Sequence, residues 1–351
     1  MPEAMDDSPA LLVDGHGREV RYLRISVTDR CNLCCRYCRD EDIPFIPHER
    51  ILRFEEIEKI IGLAVELGVH KLRFTGGEPF ARKGFLDFLV GIHERFPHTA
   101  LKLTTNGTLL EPALDTLKKL GVSVNLSLDT LDREKYASVT GRDMLPTVLE
   151  NMHRMLDMGI PLKINAVAMR GVNDDELPAL ASLAMEWPVD VRFIEFMPMG
   201  DATIWSKNLF WSAADILDSA RRHWELMPVT LRRKDGDQSE GKAAEERGPA
   251  KLWKLIAEDG TVSRGSFGLI TSVTQSFCRS CNRLRLTAEG NLRTCLFDDT
   301  EYPIRDVLRE KGLDEVRRIM MDAVARKPIG AEILAASHGP VAHKRMSAIG
   351  G

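Results

Sequence analysis

Six short apolar segments alternate with helical patterns between residues 21 and 196, and this alternation restricts the chain more than any other feature. Segments 21–27, 71–75, 100–105, 123–128, 162–168 and 189–196 are rich in Val, Ile, Leu, Phe or Thr, and each ends in a polar or glycine-bearing turn. Between the first two, Phe54, Ile57, Ile60, Ile61, Ala64 and Leu67 form an apolar stripe at helical spacing, with Gly68 placed as a C′ residue. The same spacing recurs in Phe85, Leu86, Leu89 and Ile92, in Leu114, Leu117 and Leu120, and in Leu145, Leu149, Met152 and Met155. Alternation sustained this long requires a parallel sheet with right-handed crossovers. Six units fall short of the eight of a closed barrel. The expected class is therefore α/β, an incomplete (β/α)6 barrel of the triose-phosphate-isomerase (TIM) type, preferred to a doubly wound sheet that the periodicity alone also permits.

The pattern changes after about Pro198. Residues 210–223 read as a helix, 226–231 and 252–256 as strands, and 304–309 and 314–325 as helices. Residues 232–248 are polar, mixed in charge and without an apolar face, which predicts a mobile surface loop. The expected organisation is a leader over 1–19, a partial barrel over 20–200 and a C-terminal region over 201–351. No apolar run is long enough to span a bilayer. The first ten residues are acidic, unlike a secretory signal or a basic transit peptide. The expected location is the cytoplasm, where clustered cysteines serve as metal ligands rather than disulfides. A formal charge of −4 provides no global positive field for nucleic acid, so neither nucleic acid nor membrane is expected as a partner.

Six of the seven cysteines fall into two groups of three: Cys31, Cys35 and Cys38, then Cys278, Cys281 and Cys295. Two complete iron–sulfur cubanes would use eight thiolates, one per iron. Three thiolates per site leave one iron open to a substrate or cofactor. The first group follows the first strand directly, at the end of the barrel where active sites lie. Zinc is the competing reading, but His48 is the only local candidate for a fourth ligand. Cys34 abuts Cys35 and is set aside as a spare thiol. In the second group Arg283 and Arg285 stand two apart, so an extended segment turns both to one side. Guanidinium groups bind phosphate in a bidentate fork, whereas a solvated charged edge is the plainer alternative. Thr75-Gly76-Gly77-Glu78-Pro79, Thr104-Thr105-Asn106-Gly107 and Asn125-Leu126-Ser127-Leu128-Asp129 close the second, third and fourth strands. Each also reads as ordinary turn and cap chemistry.

The spacing Cys-x3-Cys-x2-Cys, with Tyr37 before the last cysteine and Gly76-Gly77 one unit later, resembles the radical S-adenosylmethionine (SAM) superfamily. Within it the chain is similar to the MoaA-type GTP 3′,8-cyclases of molybdenum cofactor biosynthesis. The residues that carry this resemblance are 23–31, the segment 192–197, Phe267-Gly268-Leu269-Ile270 leading to Ser276-Phe277-Cys278, and the terminal Gly350-Gly351. The resemblance implies two 4Fe–4S clusters, held by Cys31, Cys35 and Cys38 and by Cys278, Cys281 and Cys295. It places SAM against Tyr37, Gly77, Ser127 and Met197. It places GTP against Arg24, Lys71, Arg73, Thr104, Lys163, Arg283 and Arg285, with Gly350 and Gly351 as catalytic support. The implied reaction removes hydrogen from the ribose 3′ carbon and joins that carbon to C8 of guanine, giving (8S)-3′,8-cyclo-7,8-dihydroguanosine triphosphate. The implied partners are an electron donor of flavodoxin or ferredoxin type and a MoaC-type enzyme downstream, and a homodimer is compatible with the reading. Many relatives carry Met-Pro where this chain has Arg39-Asp40. The alternatives are another radical SAM enzyme with an auxiliary cluster, such as a peptide-modifying maturase, and a zinc-binding module without activity.

Overall fold

The computed structural model describes residues 11–38, 44–200, 204–229, 248–337, 339–343 and 346–349. Gly350 and Gly351, Arg39-Asp40 and nearly all of the segment 232–248 lie outside the described residues.

The six expected strands form as β1 (Tyr22–Ser26), β2 (Lys71–Thr75), β3 (Ala100–Thr105), β4 (Ser123–Ser127), β5 (Leu162–Ala168) and β6 (Asp190–Glu195). They pair in sequence order, all parallel, with registers such as Arg24↔Arg73, Leu103↔Val124 and Asn165↔Arg192. Helices α1 (Phe54–Glu66), α2 (Phe85–Arg95), α3 (Leu114–Lys119), α4 (Arg133–Thr140), α5 (Leu145–Asp157) and α6 (Leu177–Glu186) supply the crossovers. Gly68 has φ 92° just past the C-cap of α1, the left-handed conformation assigned to it above.

The sheet does not stop at six strands. After α7 (Ala213–Arg221) come β7 (Glu225–Pro228), β8 (Lys251–Ile256), β9 (Ser266–Ile270), β10 (Arg283–Leu286) and β11 (Leu292–Arg293). The order is β11-β10-β1-β2-β3-β4-β5-β6-β9-β8-β7, with β10 parallel to β1 and β9 parallel to β6. The C-terminal region therefore adds a parallel strand to each edge of the barrel sheet. The antiparallel β11 covers one outer edge, and the antiparallel β8 and β7 cover the other. This protects backbone groups that an open barrel would leave unpaired. The antiparallel order of β7 and β8 matches two strands expected in that region. β9 carries Gly268 at its centre and β10 alternates Arg and Leu, so neither shows an apolar run.

One face of the strands packs outward on the helices. Leu23, Ile25, Leu72, Phe74, Leu103, Val124, Leu126, Ile164, Val191 and Phe193 are essentially buried there against Ile57, Ile60, Ile61, Leu89, Leu117, Val148 and Leu180. Each fully buried side chain of this size stabilises the fold by roughly 1.5–3 kcal/mol. The alternate residues point the other way, into the barrel. A second, smaller cluster joins Met199, Phe297, Val341, Ala342 and Ile349, with Cys278 and Cys295 packed on it. The C-terminal segment reaches it through a bridge between Met199 and Val341 and through Val341 N–H donating to the Pro198 carbonyl at 2.7 Å. Among the described residues no helix is long and apolar enough to cross a membrane.

Glu195 staples these parts together. Its buried carboxylate accepts from Ala213 N–H at 3.0 Å, Val273 N–H at 2.8 Å and Thr274 N–H at 2.9 Å. Truncation would leave three donors without partners, the one at Ala213 buried and those at Val273 and Thr274 part-buried, and a buried donor left unpaired costs about 1–3 kcal/mol. Glu195→Ala is expected to lower the unfolding free energy by several kcal/mol in a denaturant titration, and Glu195→Gln by less. Equal stability of the two variants would contradict this role.

Candidate functional site

A cavity of about 920 Å³ opens inside the barrel, and its wall contains both cysteine groups. All six grouped cysteines, Tyr37, Gly77, Ser127, Met197, Arg24, Lys71, Arg73, Thr104, Lys163, Arg283 and Arg285 line it. Every described residue that the sequence marked as a candidate is thus brought to one space. The size is that of a site for a nucleotide-sized ligand or two smaller ones.

The loop after β1 is shaped by backbone contact. Gly77 N–H donates to the Thr28 carbonyl at 2.7 Å and Glu78 N–H to the Arg30 carbonyl at 2.8 Å. A Cβ on Gly76 would collide with the Thr28 carbonyl, and one on Gly77 with the Arg30 carbonyl. The two glycines therefore let the second strand's turn lie directly under the residues that lead into Cys31. The Glu78 carboxylate then accepts from Thr105 hydroxyl at 2.9 Å and Asn106 N–H at 2.8 Å, tying in the turn after β3. Asn106 Nδ2 points at Cys31 Sγ at 3.6 Å, and Leu33 N–H lies 3.4 Å from the same sulfur. On the other side Cys34 N–H and Arg36 N–H donate to the carbonyls of Thr140 and Val139 at 2.8 and 3.0 Å. Tyr37 hydroxyl donates to Asp129 Oδ2 at 2.6 Å, while Val167 N–H holds Asp129 Oδ1 at 2.8 Å. Burial keeps the Asp129 carboxyl up at about 6 and also raises the Tyr37 phenol.

All seven cysteines are free thiols. Burial pushes the Cys35 thiol well up, and the neighbouring Cys38, Asp129 and Cys31 add to it, so the sulfurs of this group share one pocket. Thiolates are soft, electron-rich donors, and such a set takes a soft or borderline metal, an iron–sulfur cluster or zinc among them. In the second group an ideal Cβ on Gly330 would sit 2.7 Å from Cys295 Sγ and 3.5 Å from Cys278 Sγ. Only glycine keeps that hollow between the sulfurs open. Among the described residues no three Cys, His, Asp or Glu side chains close on a single point as one metal ion would need. In a cubane each thiolate binds its own iron, so thiols spread around a hollow fit it.

The inner face of the strands is cationic. Arg24 on β1, Lys71 and Arg73 on β2, Lys102 on β3, Lys163 on β5, Arg192 on β6, and Arg283 and Arg285 on β10 all line the cavity. Its acidic lining residues, Glu19, Asp129 and Glu195, are engaged with Arg21, Tyr37 and backbone N–H groups respectively. Arg73 is aimed by its bonds to Tyr22 hydroxyl, to the Leu103 carbonyl at 3.0 Å and to Thr104 Oγ1 at 3.1 Å. Arg192 pairs with Asp190 at 2.8 Å. Burial first, and then a neighbouring cation, depress Lys163, Arg285 and Arg24. Lys163 falls to about 8 with Arg192 beside it, Arg285 to about 10 with Arg283 beside it, and Arg24 is held well below its usual value. Burial would raise the Tyr22 phenol, but Arg73, Arg24 and Arg283 outweigh it and bring it to about 7. Such a set of like charges suits a polyanion.

The sequence reading gives no site role to Lys102 and Arg192, nor to Asn125 and Asn165, whose Oδ1 atoms are buried without a hydrogen-bond partner among the described residues. For three of these the signal was available. Lys102, Asn125 and Asn165 each stand two residues from a residue already marked (Thr104, Ser127 and Lys163), at the strand period of two, whereas Arg192 has no marked neighbour at that spacing. Arg279, between two cysteines, is exposed and lies outside the cavity wall.

The radical SAM superfamily profile matches residues 25–184 and a Molybdenum Cofactor Synthesis C profile matches residues 189–333. A GTP 3′,8-cyclase of Pelotomaculum thermopropionicum is 41% identical over 96% of this chain and 99% of its own length. The GTP 3′,8-cyclase of Petrotoga mobilis is 37% identical over 97% of this chain and all of its own. Human molybdenum cofactor biosynthesis protein 1 is 39% identical over 91% of this chain, which spans 48% of that protein. Among solved structures, Streptococcus suis SuiB bound to precursor peptide SuiA has a TM-score of 0.60 at 16% identity, over 91% of this chain and 68% of that one. At that identity the likeness is one of fold.

Two three-thiol hollows, at one iron per ligand and one iron open, correspond to about eight irons per chain. Anaerobically prepared protein is expected to contain that number, and Cys35→Ala and Cys281→Ala about half each. Zinc in place of iron would contradict the cluster reading.

Proposed function

The chain belongs to the GTP 3′,8-cyclase family, radical SAM enzymes of molybdenum cofactor biosynthesis, and from this premise we propose which of its residues carry the reaction. The enzyme converts GTP to (8S)-3′,8-cyclo-7,8-dihydroguanosine triphosphate, using SAM and two 4Fe–4S clusters. When bound, the first cluster and SAM supply the 5′-deoxyadenosyl radical that takes the ribose 3′ hydrogen.

In our reading Cys31, Cys35 and Cys38 hold the first cluster and Cys278, Cys281 and Cys295 the second, which receives the guanine at its open iron. Tyr37, Gly77, Ser127 and Met197 hold SAM. The Tyr37 ring is fixed for this by its hydroxyl bond to Asp129 and by an edge contact with Phe196 at 6.4 Å between centroids. Arg24, Lys71, Arg73, Thr104, Lys163, Arg283 and Arg285 take GTP, the cations holding its triphosphate. Arg283 stacks over Phe277 at 4.9 Å and Lys71 over Tyr22 at 5.5 Å, so neither cation is a loose surface charge. Gly350 and Gly351 support hydrogen abstraction. Met346 of the preceding segment lines the cavity and Ile349 is fully buried, which is consistent with this role. Residues 20–200 form the SAM-cleaving part and 201–351 the substrate part. A flavodoxin- or ferredoxin-type protein in the cytoplasm delivers the electron, and a MoaC-type enzyme takes the product.

The single observation that carries this assignment is the cationic inner face lying in one cavity with both thiol groups. The direct test is anaerobic incubation with SAM, GTP and dithionite. The cyclised nucleotide is expected by mass, and 5′-deoxyadenosine should acquire deuterium from 3′-deuterated GTP. SAM cleavage without a cyclised product would overturn the substrate assignment.

Charge-assisted hydrogen bonds are worth roughly 1.5–3 kcal/mol each. Arg285→Ala is therefore expected to weaken GTP binding about 10- to 150-fold. Arg279→Ala, outside the cavity, is the control and should do much less. Equal losses would indicate a diffuse field and no phosphate site.

GTP affinity should also depend on pH. Lys163 in the free site titrates near 8, and a bound polyanion raises that value. Between the two values binding takes up a proton, so affinity falls as pH rises through about 8, by at most about tenfold per unit for one proton. Ionisation of Tyr22 near 7 adds negative charge and acts in the same direction. Calorimetric affinities at pH 7 and 9 measure this slope, and Lys163→Met should flatten it. A slope unchanged by that substitution would remove Lys163 from the phosphate site.

A further inference from the structure

The second cysteine group is enclosed by residues that neither the sequence patterns nor the family reading single out. Leader residues 11–20 fold into a tight turn, with Asp14 N–H donating to the Arg18 carbonyl at 3.1 Å and Gly17 N–H to the Asp14 carbonyl at 3.0 Å. Gly15 N–H reaches the Ala325 carbonyl at 3.2 Å and fixes this turn to the end of helix Leu313–Ala325. Inside the turn Arg18 and Asp14 form a buried ion pair, Nε to Oδ2 at 2.5 Å, with side chains 6% and 0% exposed. The rest of the guanidinium looks outward from the turn. Nη1 donates to the Cys278 carbonyl at 2.6 Å, and Nη2 to the carbonyls of Lys327 and Pro328 at 3.0 Å each. Lys327, 2% exposed, in turn donates from Nζ to the Arg283 carbonyl at 2.9 Å and to the Thr294 carbonyl.

The arrangement touches all three ligand positions. Arg18 holds the carbonyl of Cys278 itself. Lys327 holds a carbonyl two residues past Cys281 and another one residue before Cys295. Three residues beyond Lys327, Gly330 keeps the hollow between Cys295 and Cys278 open. A hydrogen-bond role alone would not require charge in so buried a place, because a neutral donor could serve a carbonyl without the cost of burying an ion. Asp14 balances Arg18, whereas the hydrogen bonds that the Lys327 ammonium makes here are to carbonyls. Three thiolates on a cluster bring negative charge into the same region.

We propose that Arg18 and Lys327 are positioning residues for the second cluster: Arg18, locked by Asp14, fixes the Cys278 loop, and the buried Lys327 charge offsets the thiolates and sets the cluster's reduction potential. This rests on the assignment of Cys278, Cys281 and Cys295 as cluster ligands. The turn at residues 14–18 is then part of the site and not an appendage. Removing a buried positive charge beside a cluster makes it harder to add an electron, so the potential falls. Loss of an outer partner of a metal ligand typically costs about 10- to 100-fold in metal retention.

The test uses the full chain with both clusters reconstituted anaerobically. Potentiometric electron paramagnetic resonance follows the signal that GTP perturbs, and a ferrous chelator measures iron retention. Lys327→Met should lower the potential of that signal and release its irons about 10- to 100-fold faster, leaving the other half of the iron as in wild type. Lys327→Arg should restore both values. Lys327→Gln keeps donors for the two carbonyls and removes the charge, so its potential should follow the Met variant. Arg18→Lys keeps the charge and loses the fork, so it should speed iron release with little change of potential. Unchanged potentials in the Met and Gln variants would overturn the proposal, as would failure of both to fold with the first cluster intact. If wild-type protein itself takes up only four irons, the ligand assignment fails, which is a separate result from a failure of the clamp.

Discussion

The organising constraint of this molecule is the two-residue period of its strands. Along β1 to β6 one set of side chains is buried among helices, and the intervening set faces the cavity. The outward set is Leu, Ile, Val and Phe, which binds the helices and stabilises the barrel. The inward set collects Arg24, Arg73, Lys102, Lys163 and Arg192 from five different strands. Gathering cations in one enclosure costs stability through their burial first and their repulsion second, both of which depress Lys163 and Arg285. The outward packing offsets this cost, and a bound polyanion removes it. Affinity for phosphate and rigidity of the barrel are therefore two faces of the same pleat.

Much of this was legible beforehand. Six of the strands came from apolar runs bounded by turns, and their observed limits differ from the expected ones by at most one residue. The cysteines, the inner-face cations that were marked, and Tyr37, Gly77, Ser127 and Met197 all meet in one cavity. What escaped did so for physical reasons. β10 reads Arg-Leu-Arg-Leu, so its place beside β1 depends on a partner more than two hundred residues earlier, which no local window contains. α6 is apolar over most of its surface and α4 is mostly polar, so neither displays a stripe. Arg18 and Lys327 look like any surface cation in sequence, and only the folded chain shows them buried.

The glycines after β2 illustrate how a motif acquires two meanings. As a turn, Gly76-Gly77 needs no further reason to exist. In the fold both sit where a Cβ would strike the backbone of Thr28 or Arg30. The pair is thus a spacing element between two loops, one carrying Cys31 and the other carrying Glu78. Glu78 donates its N–H to the Arg30 carbonyl and extends the link through its carboxylate to Thr105 and Asn106, so the loops after three consecutive strands are tied together at one residue. Gly330 plays a comparable part beside Cys278 and Cys295.

The bonds from Arg18 to Cys278 and to Lys327 span 260 and 309 positions of the chain. A ribosome working at the usual 5–20 residues per second delivers Lys327 about 15–60 s after Arg18. During that interval the guanidinium of the first-made turn holds Asp14 but lacks its full set of carbonyl acceptors, and for most of it the barrel edge at β1 awaits β10. The contacts that enclose the second thiol group therefore cannot all form until residues 327–330 have emerged, even when the strands β1 to β6 are already out. Birth order makes closing of this enclosure a late step in the chain's assembly.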